Sequence, residues 1–116
     1  MLHNAAIAAC GLDAVYVAFP VSAGTAPDLI ATAAQWGICN LNVTMPHKQS
    51  AWRACDSRSV AADALESVNT ICVQEGRLIG HNTDGHGVLG ALDAHVDDWS
   101  EHQVVVLGAG ATSKAA

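Results

Sequence analysis

The chain has 116 residues, of which 51% are hydrophobic and only 14% charged, enough apolar surface to bury a core and too apolar for a disordered tail. A formal net charge of -6, with five Lys and Arg that form no cluster or stripe, argues against nucleic acid as a partner and leaves a small molecule as the default. Cys10, Cys39, Cys55 and Cys72 form no Cys-x-x-Cys pair, the six histidines lack ligand-like spacing, and no 18-residue apolar run or secretory segment is present; a reduced, cytoplasmic protein without metal or membrane contact is the expectation.

In chain order, Leu2 to Cys10 is helical in composition, with Gly11 as its C-cap. Val15 to Val21 carries β-formers and reads as a strand. Thr25-Ala26-Pro27-Asp28 resembles a capping box with Asp in place of Glu, opening an Ala-rich helix to Trp36 that Gly37 stops. Ile38 to Thr44 is the next strand, and Pro46 suits the first turn of a helix to about Cys55, which places Lys48 in that turn. Val60 to Leu65 adds a short helix. Ser67 to Gln74 is a strand, Glu75-Gly76 a turn, and Arg77 to His81 the returning arm of a hairpin.

Asn82-Thr83-Asp84-Gly85 breaks the pattern before a helix from His86 to about Val96, where Val88, Leu89, Leu92 and Val96 recur at helical spacing. An acidic stretch follows, and then the apolar run Gln103 to Leu107 feeds Gly108-Ala109-Gly110-Ala111-Thr112-Ser113-Lys114. The expected class is α/β: a small βα domain over residues 1–96 with a mixed, mainly parallel sheet, a linker at 97–102, and at 103–116 the first strand and glycine loop of an incomplete Rossmann-like domain. Both ends read as unfinished, since no strand precedes the first helix and the last helix has about one turn.

Two features carry chemistry. Asn42-Val43-Thr44-Met45-Pro46-His47-Lys48 ends a strand in polar side chains and starts a helix with a lysine, the arrangement of a reactive lysine in a cleft. Oxidising a secondary alcohol removes hydride from carbon and a proton from oxygen, so a positioned group must take that proton and return it in reduction. A lysine can do so where a helix N-terminus and partial desolvation disfavour the ammonium form. Asp84, at a strand end before a helix, is the carboxylate that would hold it. Taken singly, Lys48 also fits a solvated helix-start lysine and Asp84 a helix cap. The second feature, Gly108-Ala109-Gly110, suits a dinucleotide phosphate loop, although Ser113 stands at the third glycine position and a tight strand-to-helix turn would use the same residues.

Together, Asn42-Val-Thr-Met-Pro-His-Lys48, Val68-Asn69-Thr70, Asn82-Thr-Asp84-Gly85-x-Gly87 and Gly108-Ala-Gly110, in this order and spacing, resemble the shikimate dehydrogenase family, and Leu2-His3-Asn4-Ala5-Ala6 resembles that family's first helix. The resemblance implies Lys48 as catalytic acid/base and Asp84 as its partner. It implies Thr44, Asn69 and Asp84, with Asn42 in support, as substrate ligands, and Gly108, Ala109, Gly110, Ala111 and Thr112 as the cofactor phosphate loop. The implied reaction is reversible hydride transfer between 3-dehydroshikimate and shikimate in aromatic amino-acid biosynthesis, with NADP as cofactor, NAD as the alternative, and a homodimer as a state of the full-length protein. The family's opening strand and Ser-x-Ser carboxylate clamp are absent from this sequence, Ala111 replaces a loop glycine, and Lys114 stands where the family has arginine. A quinate dehydrogenase using NAD and a non-catalytic binding module on the same fold are the competing readings; retention of both Lys48 and Asp84 speaks against the latter.

Overall fold

The computed structural model describes residues 2–98 and 101–115. Its elements are α1 (Leu2–Ala9), α2 (Ala26–Ala33) continued by a 3-10 turn at Ala34–Trp36, β1 (Asn40–Asn42), α3 (Lys48–Ala54), β2 (Ser57–Arg58), α4 (Val60–Leu65), β3 (Thr70–Gln74), β4 (Arg77–His81), α5 (Asp84–Asp93) and α6 (Ala111–Ala115). The four strands form one sheet in the order β1-β3-β4-β2.

The β3–β4 hairpin is the local nucleus of this sheet. Glu75 and Gly76 both take positive φ, 51° and 76°, the two-residue turn whose twist matches antiparallel strands, and it closes the register at Gln74 against Arg77. β1 joins β3 antiparallel, Leu41 opposite Ile71, and the pairing reaches past the strand ends through Val73 N–H to Cys39 O and Val43 N–H to Asn69 O. β2 is not evident in the sequence, because two residues carry no periodicity. Asp56 makes it: its N–H donates to Leu78 O, its carboxylate accepts the Leu78 N–H at 2.7 Å, and Ser57–Arg58 then runs parallel to β4.

The core lies between this sheet and α2, α3 and α4, built from Ala26, Ile30, Ala51, Cys55, Ala62, Val68, Ile71 and Leu78. Ile71 and Val68 are fully buried, each worth roughly 1.5–3 kcal/mol of transfer free energy. Small residues let the layers close. A Cβ on Gly80 would stand 2.7 Å from Val68 Cγ2 and 2.8 Å from Cys55 Sγ, so this strand position tolerates no side chain without displacement. Burial pushes the Cys55 thiol up from its ordinary value, with the nearby Arg58 charge opposing the shift. α4 is capped at both ends: Ser59 Oγ accepts the Ala62 N–H, and Glu66 enters the left-handed region at φ 47° as its N–H turns back to Ala62 O and Asp63 O. On the outer face Asp63 accepts from Trp52 Nε1 and Arg58 Nε, while the Arg58 guanidinium lies over the Trp52 ring.

The α/β class and the mixed sheet agree with the sequence, whereas the expected parallel majority does not hold. Among the described residues two pairings are antiparallel and only β2 with β4 is parallel. One cause is Val15 to Val21, expected as a strand and found without a ladder. The Tyr16 backbone is already engaged: its N–H donates to Asn4 Oδ1 at 2.7 Å, its carbonyl accepts from Asn4 Nδ2 at 2.9 Å, and its ring stacks on His3. α1 closes as expected at Gly11, φ 65°, whose N–H returns to Ala8 O while the Leu12 N–H reaches Ile7 O.

Three boundaries also move. The capping box is not formed: Thr25 Oγ1 donates backward to Ser22 O, and among the described residues no helix N–H donates to it. α3 starts at Lys48, not Pro46, after a cis Met45-Pro46 peptide. α5 starts at Asp84, two residues before the expected His86, because Gly87 N–H already bonds Thr83 O. Gln103 to Leu107 leads into Gly108 and α6 with Val105 and Leu107 exposed and no ladder among the described residues. Of the expected linker at 97–102, Trp99 and Ser100 lie outside the described residues.

Candidate active site

Each polar side chain of the site sits at the end of an element. Lys48 is the first residue of α3, held in place from behind: Thr44 O accepts the His47 N–H, His47 Nε2–H donates to Val21 O at 3.0 Å, and Lys48 O accepts the Val68 N–H at 3.0 Å. Asp84 is the first residue of α5, where a carboxylate is favoured by the helix dipole. From these two helix starts, 36 positions apart, the side chains converge. Lys48 Nζ donates to Asp84 Oδ2 at 2.7 Å, with the two side chains 15% and 19% exposed.

Asn69, just before β3, holds the other carboxylate oxygen. Its Nδ2 donates to Asp84 Oδ1 and to Thr83 Oγ1, both at 2.9 Å, while its Oδ1 accepts from Thr70 Oγ1 and from the Thr83 N–H. Both amide hydrogens and both acceptor positions are therefore engaged inside the chain. Burial alone would raise the Asp84 carboxyl; the hydrogen bonds from Lys48 and Asn69 and the Lys48 charge outweigh it and hold the group below the ordinary carboxylate range. Asp84 is thus a carboxylate at neutral pH, and it fixes Lys48 Nζ next to whatever enters the cleft.

The expected substrate ligands divide in two. Asn69 and Asp84 stand in the hydrogen-bonded cluster with Lys48, whereas Asn42 and Thr44 line a groove of about 900 Å³ together with β1 and the Val15 to Val21 segment. Neither the Thr44 hydroxyl nor the Asn42 amide bonds to any described residue, so both are available to a ligand. Lys48 lines a smaller cavity of about 250 Å³, and Met45 and Pro46 wall both spaces.

Part of the expected phosphate loop lines the smaller cavity. Ala109, Gly110 and Lys114 line it together with Lys48, and Gly108 takes φ 114°, a conformation open to glycine but not to a side chain. A Cβ on Gly85 would come within 2.8 Å of the Ala115 carbonyl oxygen, so α6 closes directly on the first turn of α5 beside Asp84. The backbones of Ala111 and Thr112 begin α6; their side chains lie outside the described part.

Sequence reasoning misses Asn82 and Thr83 as site residues. They read as a break between strand and helix, yet the bonds that orient Asp84 and Asn69 come from them. The available signal is the run Asn-Thr-Asp itself, three residues of short polar side chains, a type that favours local bonds to backbone over continuing a strand. Lys114, which lines the smaller cavity, stands out in the sequence only as a loop substitution.

A family model for the shikimate dehydrogenase substrate binding domain matches residues 1–71. A curated shikimate dehydrogenase (NADP(+)) of Thermococcus kodakarensis is 41% identical over 115 residues, which are 99% of this chain and 42% of that protein. Among solved structures, a shikimate dehydrogenase in complex with NADP+ aligns with a TM-score of 0.92 at 38% identity, covering 98% of this chain and 40% of that one. The shikimate 5-dehydrogenase of Thermus thermophilus in complex with NADP(H) and shikimate aligns with a TM-score of 0.88 at 32% identity, covering 98% and 43%. The chain spans about two fifths of the length of the relatives it matches. With the family model covering more than half of its residues, this chain belongs to the shikimate dehydrogenase family.

Proposed function

We propose that this chain carries the substrate-binding residues and the proton-transfer pair of a shikimate dehydrogenase, which interconverts 3-dehydroshikimate and shikimate with NADP. The observation that carries the reading is the 2.7 Å contact of Lys48 Nζ with Asp84 Oδ2, fixed by Asn69 beside a cavity that Ala109 and Gly110 help to line.

In the reducing direction, the Lys48 ammonium gives its proton to the substrate carbonyl oxygen as hydride arrives at the carbon. In oxidation, the Lys48 amine takes the proton from the hydroxyl as hydride leaves. Asp84 keeps the lysine aimed and offers a carboxylate oxygen to a neighbouring substrate hydroxyl. Thr44 and Asn42 bind further hydroxyls through groups that have no partner among the described residues; Asn69 does so by exchanging its contact with the exposed Thr83. Several fixed donors and acceptors are what a polyhydroxylated ring needs to present one C–H in one direction.

NADP, when bound, supplies the hydride acceptor. Gly108, Ala109, Gly110, Ala111 and Thr112 would hold its pyrophosphate; the positive φ of Gly108 and the presence of Ala109 and Gly110 in the cavity that Lys48 lines fit that use. One strand-like run and one short helix do not make a dinucleotide-binding domain. The 116-residue chain by itself is therefore expected to turn over little or no shikimate with NADP. A rate on the order of 1 per second or more would contradict this.

Profiling a full-length dehydrogenase that carries this region tests the substrate and cofactor. Shikimate with NADP should exceed quinate, and NADP should exceed NAD, by about tenfold or more in kcat/KM. A profile led by quinate and NAD would replace the reading by that of a quinate dehydrogenase.

A further inference from the structure

Asn82 and Ser67 are the buried polar residues among those described, each 5% exposed, and the two are bonded to one another. Asn82 lies between β4 and α5. Its Nδ2 donates to Ser67 O at 2.9 Å, and its Oδ1 accepts the Asp84 N–H at 2.9 Å. A carbonyl oxygen only accepts and a backbone N–H only donates, so this network fixes which end of the amide points where.

We propose that Asn82 is a positioning residue of the site, one whose amide sets where the Asp84 carboxylate stands relative to the Lys48 ammonium. The inference rests on the proton-transfer reading of that pair. Ser67 precedes Val68, whose N–H donates to Lys48 O at 3.0 Å, so a short path of backbone and one buried amide joins both members of the pair. The Asp84 N–H belongs to the first turn of α5, where no intrahelical acceptor exists; Asn82 Oδ1 is its partner and fixes how the chain enters the helix. Removing the amide frees that N–H and takes a donor from a buried carbonyl. The Asp84 carboxylate then loses its fixed origin, and with it the alignment of Lys48 Nζ. Asn82 itself bonds only to backbone groups, so it acts on the reaction through the Asp84 carboxylate, while Thr44, Asn42 and Asn69 keep most of the hold on the substrate.

The test measures shikimate oxidation in a full-length dehydrogenase carrying this region, with Asn82→Ala, Asn82→Asp and Lys48→Ala assayed side by side per mole of folded enzyme. Asn82→Ala should lower kcat about tenfold or more while shikimate KM stays within about threefold, a split that simple loss of folded protein would not give. Should Asn82→Ala fail to fold, Asn82→Asp decides, since its carboxylate still accepts the Asp84 N–H but cannot donate to Ser67 O; the same kcat-selective fall is expected. If kcat in the folded variants stays within about twofold of the parent while Lys48→Ala is inactive, the positioning role is wrong and the reading of the pair stands. If Lys48→Ala turns over normally, both are wrong.

Discussion

The carbonyl of Lys48 accepts the backbone N–H of Val68, a fully buried residue, at 3.0 Å, so the lysine that reaches Asp84 through its side chain is bolted to the core through its main chain. The neighbouring Asn69 N–H donates to His81 O, which ties the same loop to the end of β4, one residue before Asn82. The geometry of the pair is thus inherited from the sheet. Truncating Val68 to Ala should cost about 2 kcal/mol of stability, read as a lowered urea midpoint, because it removes two buried methyl groups from a packed site.

Gly80 is the complementary test of the same packing. A methyl group there would stand 2.7 Å from Val68 Cγ2 and 2.8 Å from Cys55 Sγ. Gly80→Ala should destabilise by about 1–3 kcal/mol through overpacking, against the usual gain from replacing a strand glycine. A midpoint equal to or above that of the parent would show that Val68 and Cys55 give way freely.

The lowered Asp84 carboxyl has a defined consequence for pH. An acid whose folded pKa lies below its unfolded value, near 4, stabilises the fold fully above that unfolded value, and the contribution disappears as pH falls through the folded pKa. The stability gap between the parent and Asp84→Asn should therefore be constant at neutral pH and close in acid, below the ordinary carboxylate range. Urea midpoints for both proteins from neutral pH down into that range provide the check; a gap that widened in acid would reverse the sign. Asp63 is also held low, by hydrogen bonds from Trp52 and Arg58, but it is present in both proteins and cancels.

Thr44 and Asn69 should behave differently. The Thr44 hydroxyl has no partner among the described residues, so Thr44→Val should raise shikimate KM about three- to tenfold with little change in kcat, the loss of one hydrogen bond. Asn69 is engaged with Asp84, Thr83 and Thr70, and Asn69→Ala should lower kcat as well, because Asp84 Oδ1 loses its donor. Steady-state kinetics of the two variants in a full-length dehydrogenase separate these outcomes. Equal effects on kcat would remove the distinction.

What is legible in the sequence is local. A turn of Glu-Gly between two apolar-containing runs specifies the β3–β4 hairpin, a glycine after an Ala-rich segment ends α1, and the lysine after Thr-Met-Pro-His falls at a helix start as expected. Ordered motifs point to Lys48, Asp84 and Asn69, and the fold brings those three into one hydrogen-bonded group. What escapes the sequence is decided by tertiary competition. The Thr25 hydroxyl is turned back onto Ser22 O; Val15 to Val21 has strand propensity, but the Tyr16 peptide is taken by Asn4; and β2 exists only because Asp56 brackets Leu78. Asn82 is invisible as a site residue because its role lies in reaching Ser67, which spacing along the chain does not reveal.

Whether Lys48 moves the proton is settled most directly by kcat and KM for shikimate in a full-length dehydrogenase carrying Lys48→Ala. Losing a positioned acid/base should lower kcat by about 10²–10⁴-fold and leave KM within a few fold of the parent, since Thr44, Asn42 and Asn69 still hold the hydroxyls. An unchanged kcat would remove Lys48 from the chemistry and reduce its 2.7 Å contact with Asp84 to a structural ion pair.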